Sequence, residues 1–169
     1  MAIIKAEQAD LDQCTDILFI SGLGKLYYLK KEFLRTQLEK SMYMDEIFVE
    51  KEIKNEEASA SEVKGVIWYQ REGLFHAFHY LHMIGVRSDF RQQGVGSRLM
   101  DFYEQDALRN GKSQMCTKAF LIVNDLNTAA QQFYWNRGYE EVGEFGSLFR
   151  RGITERLLMK KIVRGGGNL

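Results

Sequence analysis

The stretch from Phe78 to Gly111 constrains the fold of this chain more than any other. "FHYLHMIGV" reads as a strand, "LMDFYEQDALRNG" as a helix that ends at a glycine, and "FRQQGVGS" lies between them. Passing from strand to helix through Gly94 and Gly96 leaves two backbone positions without side chains. A helix N-terminus carries unpaired N–H groups and the positive end of the macrodipole, so it binds anions. Phosphate oxygens reach those groups only where no side chain stands in the way, and glycine also permits whatever backbone angles the turn needs. Arg91, just upstream, can add a charge-assisted contact. Tight strand–helix packing explains the glycines equally well. The loop has neither the lysine–hydroxyl pair of a nucleotide P-loop nor the G-x-G-x-x-G spacing of a dinucleotide fold.

Around this junction strands and helices follow in a readable order. "AIIKAEQ" is a short strand, and Asp10 stands where a cap is expected for the helix "LDQCTDILFISG". "SGLGK" breaks that helix. A second follows, in which Leu26, Leu29, Phe33, Leu34 and Leu38 recur at spacings of three and four. "EIFVEKEI" and "VKGVIWYQRE" read as a hairpin across the polar "KNEEASASE". "KAFLIV" is a buried-type strand, and "LNTAAQQFYWNRG" is a helix closed by Gly138. "YEEVGEF" and "TERLLMKKIV" finish as an antiparallel pair. The order β-α-α-β-β-β-α-β-α-β-β predicts an α/β (α+β mixed) fold, a mixed and mostly antiparallel sheet of about seven strands with helices packed on it. No repeat or composition shift divides the chain, so 1–163 reads as one domain and 164–169, "RGGGNL", as a flexible tail.

Composition excludes more than it selects. A chain of 169 residues can bury a sizeable core. Its 23 basic and 23 acidic side chains cancel, which argues against nucleic acid or an anionic membrane as partner. No apolar run nears the roughly 20 residues that span a bilayer. "MAIIKAEQAD" is too acidic and too short in apolar length for a signal peptide, so a soluble, cytoplasmic protein is expected. Cys14 and Cys116 lie far apart without metal-type spacing and read as reduced core thiols, with a single disulfide left open. His76, His79 and His82 are spaced by three, which on a strand turns His79 to the opposite face, so no metal site is expected.

Two motifs together resemble one family. R-x-x-G-x-G between strand and helix is similar to the signature of the GNAT superfamily of acyl-CoA N-acyltransferases. "NTAAQQFYWNRGY", Asn127 to Tyr139, resembles that family's N-x-x-A-x-x-F-Y-x-x-x-G-[FY] helix. Both stand in the family's order with one strand between them, and the element order matches over nearly the whole chain. The resemblance implies an N-acetyltransferase that uses acetyl-CoA as acyl donor and no metal. It places the coenzyme A pyrophosphate on Arg91, Gln92, Gly94, Val95, Gly96 and Ser97. It gives Ile84 and Val86 backbone bonds to the pantetheine arm, with a strand distortion near Gly85 that admits the cofactor. An amide near Ile84 would polarise the thioester carbonyl.

The same resemblance makes Tyr134 the proton donor to the departing thiolate, with Phe133 left as a core aromatic. Asn127 would contact the cofactor, although it could equally cap its helix. A substrate ammonium must lose a proton before it attacks, and His82 is the candidate base, with Tyr80 beside it. Residues 80, 82, 84 and 86 share a face if the pleat is regular. Arylalkylamine N-acetyltransferases have a histidine at the position matching His82. Ribosomal-protein alanine acetyltransferases carry a fifth-strand glutamate where this chain has Ile122.

The expected partner is a small amine or a peptide amine, bound by the first two helices and the last hairpin, and the resemblance leaves a homodimer open. Two other readings stay in view. One is a non-catalytic acyl-CoA-binding or sensing module of the same fold, whose mark would be loss of a Tyr134-type acid. The other is an interaction domain that binds no coenzyme A at all.

Overall fold

A computed structural model of the chain describes residues 2–52, 61–111 and 116–163. The C-terminal tail, most of the polar connection after residue 52 and the side chain of Cys116 lie outside the described residues. Seven strands form one sheet: β1 (Ala2–Lys5), β2 (Glu46–Lys51), β3 (Val63–Leu74), β4 (Phe78–Val86), β5 (Cys116–Asn124), β6 (Glu140–Gly146) and β7 (Thr154–Val163). Their order is β1-β2-β3-β4-β5-β7-β6. β4 and β5 run parallel, whereas β1–β2, β2–β3, β5–β7 and β6–β7 are antiparallel. The helices are α1 (Leu11–Phe19), α2 (Gly22–Tyr27), α3 (Lys31–Ser41), α4 (Val95–Asn110) and α5 (Thr128–Asn136). Among the described residues no helix is long and apolar enough to cross a membrane.

The chain gathers into two compact units, Met1–Tyr69 with Met83–Phe102 and Gln70–His82 with Tyr103–Leu169. In the first, Leu11, Cys14, Ile17 and Leu18 of α1 and Leu34 and Leu38 of α3 pack on Ile47, Val49, Val66, Trp68 and Met83. Each such side chain contributes about 1.5–3 kcal/mol by leaving water. Cys14 is a free, buried thiol, and burial, with a smaller push from Asp10, raises its pKa to about 12. It is a packing residue and not a nucleophile.

Two local expectations change. The leucine repeat from Leu26 to Leu38 belongs to two helices, α2 and α3, with an extended break at Tyr28 and Lys30. Ser21 caps α2, and Gly24 brings it so close to α1 that a Cβ there would collide with the carbonyl of Leu18. Leu29 and Phe33 are consequently exposed. Periodicity counts spacings without testing whether the backbone between them is helical. Asp10 does sit at the N-cap of α1, but its carboxylate makes no cap bond to that helix. It accepts instead from Glu7 N at 3.0 Å and from Lys51 Nζ at 2.8 Å, a buried pair.

Glycines inside strands seat helices. A Cβ on Gly65 would lie 2.7 Å from Val95 Cγ1, so α4 lands on β3 there. A Cβ on Gly85 would lie 2.8 Å from Ile17 Cγ2 of α1. At Gly85, where the resemblance implies a strand distortion, the bare position is filled by a helix packed on the strand. Gly65 and Val66, adjacent on β3, show that α4 and α1 cover opposite faces.

In the second unit β5 and β7 pair from Cys116↔Val163 to Asn124↔Glu155, with β6 on the outer side of β7. Gly138 adopts a φ of +82° just past α5, the left-handed stop expected there.

Candidate functional site

The cradle residues form one turn. Arg91, Gln92 and Gly94 are exposed, and both Gln92 (φ 60°) and Gly94 (φ 77°) are left-handed. A left-handed glutamine costs about 1–3 kcal/mol and persists only where its surroundings impose it. The carbonyl of Gly94 accepts from Arg98 N at 3.0 Å, so Gly94 opens α4 and its first-turn amides, those of Val95 and Gly96 among them, head the helix. Backbone N–H groups in a turn of mixed handedness converge as an anion-binding concavity. With no side chain at Gly94 and the turn open to solvent, an anion can approach these amides.

The side chains around the turn have other duties. Val95 is buried and packs where Gly65 leaves room. Ser97 and Gly96 are half-buried in the first turn of α4. Arg91 Nε donates to the carbonyl of Val86 at 3.3 Å, folding the guanidinium back toward β4. Ile84 and Val86 are both half-buried at the end of that strand.

Two residues that sequence reading missed hold this turn. Arg98 donates through Nε and Nη2 to the Glu50 carboxylate at 3.0 and 2.6 Å, and through Nη1 to the carbonyl of Gln93 at 3.0 Å. Glu50 is 1% exposed in β2, between Ile3 and Gly65. A carboxylate within the apolar alternation of "EIFVEK" was the available signal.

The catalytic candidates lie in the second unit. His82 is half-buried on β4 and its ring meets that of Tyr80 edge-on, 4.9 Å between centroids. Burial, aided by the Glu155 carboxylate, pushes the Tyr80 phenol up to about 12. The parallel ladder of β4 and β5 ends among the described residues at Leu81↔Leu121, one residue before His82. Ile122, where a fifth-strand glutamate would stand, pairs with Leu157.

Tyr134 projects from α5 into the interior, 6% exposed, with its ring 5.8 Å from that of Tyr139. Burial drives its phenol well above the usual tyrosine range, and the Arg137 guanidinium only partly offsets this. Phe133, expected as the core aromatic of the pair, is the less buried of the two and lies under the Arg137 guanidinium. Asn127 is the N-cap of α5, its side chain accepting from Ala130 N at 3.2 Å. The capping role open in the sequence is therefore present.

Known proteins place this architecture. The acetyltransferase (GNAT) domain model matches residues 41–141, more than half of the chain. No curated protein sequence matches it. Solved structures share its fold at low identity. The ribosomal-protein-S18-alanine N-acetyltransferase of Escherichia coli is 17% identical, with a TM-score of 0.69 over 99% of this chain and 97% of that one. An aminoglycoside 6′-N-acetyltransferase complexed with coenzyme A is 17% identical, with a TM-score of 0.72 over 98% and 99%. A GNAT family acetyltransferase of Bacillus cereus is 20% identical, with a TM-score of 0.67 over 96% and 98%. The fold is that of an acyltransferase domain with a glycine turn heading its central helix. This chain belongs to the GNAT acetyltransferase family.

Proposed function

We propose that this protein is an acetyl-CoA-dependent N-acetyltransferase acting on a primary amine of a small molecule or peptide, by direct attack of the neutral amine. The observation that carries this reading is the exposed left-handed turn at Gln92 and Gly94, heading α4 in a chain of acetyltransferase kinship. The amides from Gly94 to Ser97, with Gln92 and Arg91, hold the pyrophosphate. Backbone groups of Ile84 and Val86 bind the amide-bearing arm, and Asn127 supports its own helix while lying at the motif position that contacts the cofactor in the family. Bound acetyl-CoA supplies an activated acetyl thioester.

The rest is proton handling by the chain. His82 takes the proton of the acceptor ammonium, directly or through water, since only the neutral amine is a nucleophile. Tyr134 keeps its proton throughout the neutral range because burial disfavours the phenolate, so a donor is in place for a departing sulfur. A phenol raised this far is a weaker acid than free tyrosine, which places its kinetic contribution at the low end for positioned proton transfer.

A panel of amines with acetyl-CoA, followed by release of free thiol, tests the assignment. Thiol release that depends on one class of amine supports it. Tight coenzyme A binding with no amine-dependent release across the panel would instead identify a sensing module of the same fold.

A further inference from the structure

We propose that Arg98, seated on the buried carboxylate of Glu50, is the positioning residue that sets the phosphate turn. This rests on the acyl-CoA reading above and adds to it a part of the chain 48 residues away in sequence.

The argument begins with one peptide plane. The carbonyl of Gln93 accepts from Arg98 Nη1 at 3.0 Å. A trans peptide is planar, with its C=O and the following N–H pointing opposite ways. Turning the Gln93 carbonyl toward the guanidinium therefore turns the Gly94 N–H away from it, and that amide is one of those assigned to the pyrophosphate. The left-handed backbone at Gly94 belongs to the same device. A Cβ on Gly94 would stand 2.9 Å from Arg98 Nη1, so the guanidinium packs against the bare residue there.

Glu50 fixes the guanidinium in turn. Its carboxylate is 2% exposed, and two hydrogen bonds of 2.6 and 3.0 Å take up both of its oxygens in a fork that only arginine can match. Strands pair on both sides of Glu50, so the anchor is part of the sheet and not of the loop. Because the pair is formally neutral, Arg98 adds little net attraction for an anion. Its contribution is geometric, and a lysine, which keeps the charge but loses the fork, should not replace it.

The test uses the full chain and two ligands that differ in the pyrophosphate: coenzyme A and pantetheine, titrated by calorimetry against wild type, Arg98→Lys and Glu50→Gln. The expected result is a loss of coenzyme A affinity of roughly 10- to 100-fold in both variants, the cost of a misplaced binding group. Pantetheine binding should stay within twofold and circular dichroism should match wild type. Glu50→Gln keeps the size of a buried side chain and serves if Arg98→Lys does not fold, and the reverse holds as well. Coenzyme A affinity within twofold of wild type in the folded variant overturns the proposal, as does an equal loss for both ligands, which would mark a general stabilising role. Failure of the wild type itself to bind coenzyme A is a different result, and overturns the acyl-CoA reading together with this one.

Discussion

Nε2 of His79, a fully buried side chain of β4, lies 3.1 Å from Oδ2 of Asp106 on α4. Arg71 donates to both oxygens of that carboxylate at 3.0 and 3.2 Å, and Asn110 Nδ2 donates at 2.6 Å. The cluster ties β3, β4 and α4 within one unit. Burial works to raise the pKa of Asp106, but hydrogen bonds from His79, Arg71 and Asn110 outweigh it and leave the carboxyl well below the usual range.

A depressed carboxyl contributes stability that is present above its unfolded value, near 3.9, and lost as pH falls through the folded value. Asp106→Asn should therefore cost about 1–3 kcal/mol at neutral pH, since it removes the negative charge and one of the two acceptor oxygens that Arg71, His79 and Asn110 share. The gap between wild type and variant should narrow below about pH 4. Urea midpoints measured from pH 7 to pH 3 check this, and a gap that stays constant would exclude the ionised carboxylate as its source.

Gly94→Val should remove coenzyme A binding while the fold survives. Valine at a φ of +77° is strained, and its branches meet the Arg98 guanidinium. We expect an affinity loss of at least about tenfold, with a stability cost of about 1–3 kcal/mol from the backbone. Unchanged affinity in a folded variant would make the turn a packing element only.

Tyr134→Phe should lower turnover by about 10²-fold, with little change in the KM for acetyl-CoA, because the ring still packs beside Tyr139. The raised phenol carries a second expectation. No alkaline limb belonging to Tyr134 should appear below about pH 10, the free tyrosine value. Stopped-flow or burst measurements can establish whether chemistry limits the rate, and near-wild-type turnover with chemistry limiting would remove Tyr134 from the mechanism.

His82→Ala should flatten the acidic side of the pH profile. If the imidazole receives the amine proton, kcat/KM in the wild type falls on the acidic side as that imidazole becomes protonated. The variant should lack that fall and lose most rate near neutral pH, with one acceptor assayed in both proteins so that amine titration cancels. A limb of the same position and height in the variant would leave His82 a strand residue packed on Tyr80.

Much of this was legible because the signals are local. A strand, a glycine turn and a helix follow one another within Phe78–Asn110, and each is written in residues a few positions apart. The helix stop at Gly138 is written the same way, as is the succession of elements along the chain, and two short motifs sufficed for the family. What only the tertiary structure decided involves partners distant in sequence or faces that depend on register. Nothing near Gly94 indicates that its bare Cα accommodates Arg98, or that Arg98 in turn rests on Glu50 in β2. Asp10 was placed correctly at a helix start, yet its carboxylate was claimed by Lys51, 41 residues on. The sequence does not say that α4 seats on Gly65, or that it is α1 that approaches Gly85. Hydrogen bonds within a turn depend on the backbone alone. The burial of a charge depends on which strand is its neighbour, and that is settled only when the sheet and its helices close.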